Sequence, residues 1–277
     1  MDQPPIDLDA YFRRIGHAGP TKPTLATLAA LQAAHVAQIP FENLDPLLGR
    51  PVPLDAAALQ DKLVRRRRGG YCFEQNTLFQ HVLEALGFLV TAYAARVVYR
   101  RPPGIVAPRT HMLLRVDLPE GPFLADVGFG GPNPTAPLAL RAGIEQPTAL
   151  EPFRLLDLSG ELALEIRQQD EWQTLYRFTI EPQHPVDLAM ANWFVATHPE
   201  SRFVNQLIAA RSTATSRMAL VDLDYSVHRP GCQPVRRRLP DGAAVLGALE
   251  REFGLSLTDG ERSALSARLD ALAQRPG

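Results

Sequence analysis

Residues 69–76 read GGYCFEQN and place a cysteine, Cys72, between a glycine pair and the start of a predicted helix. The helix is predicted over residues 72–87, because apolar side chains recur at helical spacing from Leu78 onward and Gly87 suits the helix end. A cysteine in the first turn lies beside unpaired backbone N–H groups at the positive end of the helix dipole, which favours the thiolate. The glycines allow a tight turn and the close approach of a ligand. A lone cysteine is more often buried and unreactive, so this stretch alone leaves both interpretations open.

The composition is that of a globular protein with a substantial core, since 45% of the 277 residues are apolar. A formal net charge of −1 gives no general attraction to nucleic acid or to an acidic membrane surface. The first residues lack a basic stretch followed by an apolar run, so no secretory signal is expected, and no apolar run is long enough to cross a bilayer. Cys72 and Cys232, the two cysteines, have no partners at metal-ligand spacing. The sequence therefore predicts no disulfide framework and no metal site, and a cytoplasmic location is expected.

The first 88 residues have a helical pattern. One helix is predicted over residues 24–38, with Thr24 at its start and Pro40 beyond its end, and another over residues 52–68, with Asp55 as its N-cap. Residues 1–88 are therefore expected to form a helical bundle.

The pattern changes near Phe88 to short segments rich in β-forming residues, separated by proline and glycine. Residues 89–190 are expected to form an antiparallel β region, a barrel or a sandwich. Residues 191–277 mix both types, with strands predicted over 217–228 and 235–239 and two helices within 241–273. The chain is therefore assigned to the α+β class.

Of seven histidines, His111 differs from the others because it opens a predicted strand that leads into a second strand by way of Pro119–Gly121. If the connecting loop has an even number of residues, odd positions of the first strand share a face with even positions of the second. That register puts His111 and Asp126 together on one face. The opposite face is a continuous apolar one, formed by Met112, Leu114, Val116, Leu118, Phe123, Ala125 and Val127. A carboxylate beside an imidazole fixes its tautomer and stabilises its charged form. A structural hydrogen bond on a half-exposed sheet is the simpler interpretation of this pair alone.

Together, Cys72, His111 and Asp126 have the residue types of a nucleophile, its base and an orienting carboxylate. An aspartate as the third member favours an imidazolium that is already formed in the resting protein. The combination predicts a covalent cysteine catalyst.

The sequence resembles the arylamine N-acetyltransferase family, in particular its bacterial members. The motifs that carry the resemblance occur in the family's order and spacing: IPFENLD (39–45), RRGGYCFEQN (67–76), THMLLRV (110–116), ADVGFGG (125–131) and NWFVATHPESRFVNQL (192–207).

The resemblance implies an N-terminal helical bundle (1–88), a middle antiparallel β-barrel (89–190), and an interdomain segment with a C-terminal α/β lid (191–277). The first two parts would share the core of papain-like and transglutaminase-like cysteine enzymes. The implied reaction is a ping-pong transfer from acetyl-CoA to arylamines or arylhydrazines, including O-acetylation of N-hydroxyarylamines. Cys72 would accept the acetyl group, His111 would be the base and Asp126 its orienting partner. The partners would be small molecules, with no nucleic acid, membrane or metal.

The resemblance also implies roles for residues around the triad. Phe41 and Phe129 would line the arylamine pocket, although aromatic side chains are more often plain core. Several residues would lie near CoA: Thr110, Phe129, Gly130, Gly131 and Phe203. Arg67 is expected to support the cysteine loop by pairing with Glu42, while Arg65 and Arg66 are expected to be solvated.

Three other functions use the same features. A papain-like peptidase or amidase would share the triad but would admit water to the acyl-cysteine. An amide synthase acting on a carrier-bound substrate would need a wider opening. A CoA- or arylamine-binding module without catalysis would not need an intact triad. The sequence leaves the acceptor, the preferred acyl chain and the oligomeric state undetermined.

Overall fold

The computed structural model describes residues 6–102 and 104–273, with the side chains of 271–273 left aside. Its N-terminal part holds α1 (Leu8–Ile15), α2 (Leu25–Gln38), α3 (Leu44–Leu47), α4 (Ala56–Leu59) and α5 (Cys72–Ala85). The predicted caps are confirmed: Thr24 accepts the N–H of Thr27, and Asp55 accepts that of Ala58.

The helix predicted over residues 52–68 is wrong at both ends. Pro53 lacks an N–H group and Asp55 caps the chain only afterwards, so α4 begins at Ala56. It then widens into a π-helix over Gln60–Arg65. The helix ends before Arg67, whose φ of +52° is left-handed.

The middle part is an antiparallel sheet of eight strands: β2 (Leu89–Val97), β3 (Arg109–Leu118), β4 (Gly121–Ala125), β5 (Leu138–Ala139), β6 (Glu145–Gln146), β7 (Phe153–Asp157), β8 (Leu162–Gln168) and β9 (Glu171–Phe178). Their order in the sheet is β5-β4-β3-β2-β9-β8-β7-β6.

The two outermost strands of this sheet are joined by a side chain. The Gln146 amide on β6 accepts the N–H of Ala139 on β5 at 2.6 Å and donates to its carbonyl at 3.0 Å. A side-chain amide thus takes the place of a missing strand pair. The sheet is nearly closed, which confirms a barrel rather than a sandwich.

The β3–β4 hairpin has the even loop that the sequence predicts, because Leu118 pairs with Gly121 and Val116 with Phe123. The second strand ends at Ala125. It stops there because the Asp126 carboxylate accepts the N–H of Gly128 at 2.9 Å, which turns the chain out of the sheet.

The C-terminal part begins with α6 (Pro185–Thr197) and α7 (Arg202–Asn205) and ends with α8 (Gly242–Arg251) and α9 (Asp259–Ala273). Between α7 and α8 lie the strands β10 (Ile208–Ser212), β11 (Arg217–Val221), β12 (Asp224–His228) and β13 (Val235–Arg238). They form a five-stranded sheet with β1 (Phe41–Glu42), in the order β1-β10-β11-β12-β13.

The strand β1 comes from the part predicted to be wholly helical. Phe41 pairs with Ala210 and Glu42 with Ala209, so the N-terminal part supplies an edge strand to the C-terminal sheet. The division into 1–88, 89–190 and 191–277 stays a prediction, and residues 1–5, 103 and 274–277 of it lie outside the described residues. Within the described ranges, no helix combines the length and apolar character needed to span a bilayer.

Candidate active site

Cys72 is the first residue of α5, as the sequence predicts, and its side chain is buried against the hydrophobic core. The glycines before it are required by close packing. A Cβ atom on Gly69 would lie 2.1 Å from the Pro40 carbonyl oxygen, and one on Gly70 would lie 2.7 Å from a Glu74 carboxylate oxygen. The backbone can therefore follow this path to the start of α5 only if neither residue 69 nor residue 70 carries a side chain.

His111 and Asp126 contact each other as predicted, with Nε2 of the imidazole 2.7 Å from Oδ2 of the carboxylate. They are 2% and 0% exposed, so the sheet face that holds them is buried rather than half-exposed. The Cys72 Sγ lies 3.5 Å from the Thr110 carbonyl oxygen, next to His111 in the chain. Since Nε2 is bound to Asp126, the other ring nitrogen, Nδ1, is left for the cysteine.

The charged form of His111 is stabilised by its neighbours. Burial alone lowers the pKa of His111, but the charge and hydrogen bond of Asp126, together with the hydrogen bond and charge of Cys72, raise it to about 10. The imidazolium therefore persists through neutral pH. This arrangement favours a thiolate–imidazolium pair.

Two residues that the sequence analysis missed hold Asp126. The Asn76 amide donates to Oδ1 at 3.0 Å, and the Tyr176 hydroxyl donates to Oδ2 at 3.0 Å. Burial, followed by the nearby Asp126, raises the pKa of Tyr176 well above its usual value, so the phenol stays a donor. His111 also donates to Oδ2, and the Gly128 N–H donates to Oδ1, so each carboxylate oxygen accepts two hydrogen bonds.

Asn76 also ties α5 to the barrel. It donates to the Met112 carbonyl at 2.7 Å and accepts the N–H of Val127 at 3.0 Å. It follows Cys72 by one helical turn, and this spacing was the sequence signal that could have identified it. Tyr176 lies on β9 and has no comparable local signal.

Gly128 packs directly on the cysteine. A Cβ atom there would lie 2.6 Å from the Cys72 Cα and 2.8 Å from the Asn76 amide nitrogen. Both neighbours belong to α5, so the helix start would have to move.

We expect Gly128→Ala to lower kcat/KM by about 10²-fold, because displacements of about 1 Å at a reacting atom cost that much. Acetyl transfer assays measure the loss. Gly260→Ala is the control, because no heavy atom lies within 4 Å of its added Cβ. Equal activity of the two variants would contradict the close packing inferred at Gly128.

Aromatic rings surround the triad. The Phe129 ring stands edge-on to His111 at 5.2 Å between centroids, and Phe203 stacks on Tyr71 at 5.3 Å. Phe41 contacts Phe203 at 5.9 Å. These rings place apolar aromatic surface beside Cys72 and His111.

The glycines predicted to lie near CoA follow Phe129. Gly130 has a φ of +92°, and a Cβ atom on it would lie 3.2 Å from the Phe41 ring, so glycine is required there. A Cβ atom on Gly131 would meet no heavy atom within 4 Å.

The predicted pairing of Arg67 with Glu42 is wrong by one residue. Arg67 is exposed in its left-handed conformation, and the following Arg68 is buried with its guanidinium 2.8 Å from Glu42. Arg68 also pairs with Asp45 at 3.6 Å and with Glu261 on α9. Arg66 is exposed as expected, and its guanidinium also lies 2.8 Å from the Glu261 carboxylate.

Cys232 is exposed. Over the described residues, no group of three or more His, Cys, Asp or Glu side chains could hold a metal ion.

Comparison with known proteins gives matches over nearly the full length. A family model described as N-acetyltransferase matches residues 24–262. A protein of Mycobacterium tuberculosis named arylamine N-acetyltransferase is 49% identical over 278 residues, covering 98% of this chain and 98% of the relative. A Salmonella typhimurium relative named arylamine N-acetyltransferase / N-hydroxyarylamine O-acetyltransferase is 38% identical, covering 96% of this chain and 94% of its own.

Solved structures give the same result. The arylamine N-acetyltransferase of M. tuberculosis superposes with a TM-score of 0.93 at 50% identity, covering 96% of this chain and 100% of its own. The Mycobacterium marinum enzyme in complex with CoA superposes with a TM-score of 0.93 at 48% identity, and the match covers 96% of this chain and 99% of that enzyme's chain. The α+β fold is therefore shared over almost its whole extent.

Proposed function

Because the chain belongs to the arylamine N-acetyltransferase family, we propose that it transfers an acetyl group from acetyl-CoA to arylamines and arylhydrazines through an acetyl-Cys72 intermediate. The observation that carries this mechanism is the buried His111–Asp126 pair, 2.7 Å apart, beside a cysteine at a helix start. The cytoplasmic location stays a prediction.

In the first half-reaction, the Cys72 thiolate attacks the carbonyl carbon of the acetyl thioester. The oxyanion that forms can accept a hydrogen bond from the Cys72 backbone N–H, one of the unpaired donors of the first helical turn. The bond from carbon to the CoA sulfur then breaks, and the leaving thiolate takes the imidazolium proton. Acetyl-Cys72 and a neutral His111 remain.

In the second half-reaction, the amine nitrogen attacks the acetyl carbon and passes its proton to neutral His111. The bond to the cysteine sulfur breaks, which releases the amide and restores the thiolate–imidazolium pair. Asp126 stays ionised throughout and holds the imidazole by Nε2.

The side chains around the triad suit an aromatic acceptor. We assign Phe41, Phe129 and Phe203 to the wall against which the arylamine ring packs, and Thr110, Gly130 and Gly131 to the path of the CoA arm. Cys72 is only 4% exposed, which limits the access of water to the acetyl thioester and favours transfer over hydrolysis. The name of the Salmonella relative supports the same transfer to the oxygen of N-hydroxyarylamines.

Initial rates test the function. With acetyl-CoA and aniline varied together, double-reciprocal plots should be parallel, as a substituted-enzyme mechanism requires. Intersecting lines would contradict an acetyl-enzyme. Release of acetate at the same rate with and without aniline would instead indicate a hydrolase.

The pH dependence of alkylation tests the resting ion pair. Because the pKa of His111 is raised to about 10, its positive charge is kept through neutral pH and lost only as the pH rises through that value. We expect the rate of Cys72 modification by iodoacetamide to change little between about pH 6 and 9.

The exposed Cys232 is the internal control, since the rate at an ordinary thiol rises about tenfold per pH unit below its pKa. Peptide mapping separates the two sites. A Cys72 profile that rises in parallel with that of Cys232 would contradict the ion pair.

A further inference from the structure

A buried lysine lies beneath the start of the catalytic helix and has no part in the mechanism above. Lys62 Nζ lies 2.6 Å from Glu74 Oε1 and 2.5 Å from Asp45 Oδ2. Its side chain is 12% exposed, while that of Glu74 is 1% exposed. Charged side chains are rarely buried in this way unless they hold each other in place.

The Glu74 carboxylate is bound to the loop that presents the cysteine. Its Oε2 accepts the backbone N–H of Tyr71 at 3.1 Å, immediately before Cys72. The same carboxylate packs against Gly70, where an added Cβ would lie 2.7 Å away. The position of this one side chain therefore fixes the path of residues 70–72.

The carboxylate also carries a negative charge two residues from a cysteine that must itself be negative. Burial and the nearby acids Glu42 and Asp45 raise the pKa of Glu74 above its usual value, against the opposing effect of Lys62. Against the effect of burial, Glu74 and the same two acids raise the pKa of Lys62, so the lysine stays positive and holds Glu74 in an ion pair. Without a cation, Glu74 would either lose its charge, and with it a strong hydrogen bond to Tyr71, or repel the thiolate.

Lys62 is the cation on which Glu74 depends. Among the described residues, Lys62 is the one positively charged side chain with a nitrogen within 4 Å of a Glu74 carboxylate oxygen. The neighbouring acids have further partners, because Asp45 also lies 3.6 Å from Arg68 and Glu42 lies 2.8 Å from the same guanidinium.

We propose that Lys62 is a positioning residue for acetyl transfer. Through its bond to Glu74 it holds the loop of Cys72 in place, and its charge offsets a carboxylate that would otherwise oppose the thiolate. The proposal rests on the proposed function of Cys72 as the acetyl acceptor, and it extends that site to a side chain that does not touch the substrate.

The charged and titratable groups around these side chains come from several elements. Glu42 on β1, Asp45 on α3 and Arg68 with Tyr71 in the loop surround the ion pair, while His111 and Asp126 lie on the barrel side of Cys72. The variants below change none of them, so a shift in the behaviour of Cys72 is assigned to Lys62 and Glu74.

The test uses Lys62→Met, Glu74→Gln and the double variant of the full chain. The midpoint pH of Cys72 alkylation by iodoacetamide is measured from about pH 4.5 to 9 with peptide mapping. Lys62→Met should raise the midpoint by about one pH unit, because the positive charge that offsets Glu74 beside the thiolate is then lost. Glu74→Gln should lower it, and the double variant should return it to within about 0.3 unit of the unmodified protein.

Opposite shifts that cancel are specific to a charge effect, because a merely structural role would weaken folding in both single variants without moving the midpoint. Lys62→Arg keeps the charge and should keep the midpoint, whereas a shift as large as that of Lys62→Met would overturn the proposal. If Lys62→Met does not fold, Glu74→Gln still decides, because an unchanged or raised midpoint contradicts the proposal.

The rate at which acetyl-Cys72 forms is the second measurement. Lys62→Met should slow formation of acetyl-Cys72 by about tenfold at a pH below the alkylation midpoint of the unmodified protein, the fold-change that one pH unit represents, and should change it little at pH 7. The alkylation midpoints do not use acetyl-CoA, so they remain informative if the unmodified protein forms no acetyl-enzyme. In that case the proposed function fails, and the charge effect of Lys62 is judged separately.

Discussion

Replacing Asp126 with asparagine is expected to lower kcat/KM for arylamine acetylation by on the order of 10³–10⁴-fold. The substitution keeps the size of the side chain but replaces one oxygen with an NH₂ group. Each oxygen of Asp126 accepts two donors, from Asn76 and Gly128 on one side and from His111 and Tyr176 on the other. Either orientation of the amide therefore points its N–H groups at other donors in a buried site.

The same substitution removes the charge that stabilises the His111 imidazolium, so the thiolate loses its partner. Asp117→Asn is the matched control, since Asp117 lies on the same hairpin, 37% exposed and paired with Arg115. It should change kcat/KM less than about twofold, as exposed ion pairs contribute little. Initial rates with acetyl-CoA and aniline measure both. A loss of less than tenfold in Asp126→Asn would contradict the role of this carboxylate.

Replacing Cys72 with serine is expected to lower turnover by at least about 10⁴-fold. The serine hydroxyl would lie at the same helix start, but an adjacent imidazolium cannot convert it to an alkoxide at neutral pH as it does a thiol to a thiolate. His111 would have to take the hydroxyl proton during the attack, without the preformed ion pair.

Cys232→Ser is the control, because Cys232 is exposed and lies in a different part of the chain, after β12. It should leave the rate unchanged. If Cys72→Ser kept more than about 1% of the activity, the acetyl group would have to pass through another residue.

The contact between His111 and Asp126 was predictable because its geometry is local. An even hairpin loop determines which residues of β3 and β4 share a face, so the proximity of His111 and Asp126 follows from parity alone. The position of Cys72 was predictable for the same reason, since a glycine pair and a helical pattern lie next to each other in sequence. Asn76 follows by one turn of α5 and could have been found in the same way.

The residues that were missed depend on contacts between distant segments. Tyr176 reaches Asp126 because β9 lies two strands from β3 in the barrel, and no local pattern gives that order. The pairing of Phe41 with Ala210 likewise joins segments that are far apart in sequence. Periodicity cannot predict such neighbours, because both partners look ordinary in their own segments.

The error at Arg67 has a different cause. In a run of four arginines, the buried one is decided by where the helix ends, and Arg67 leaves it with a φ of +52°. This turn directs Arg68 rather than Arg67 to Glu42 and Glu261. The exposed Arg67 and the buried Arg68 are adjacent in this run. The sequence therefore predicted that an arginine of this motif pairs with Glu42, but not that it is Arg68.

The measurement that tests the central claim most directly is the intact mass of the protein after incubation with acetyl-CoA in the absence of any amine. One added acetyl group should appear, peptide mapping should place it on Cys72, and aniline should discharge it to give acetanilide. The Cys72→Ser variant should gain none. An acetyl group on another residue, no adduct at all, or an adduct that aniline does not discharge would contradict the account.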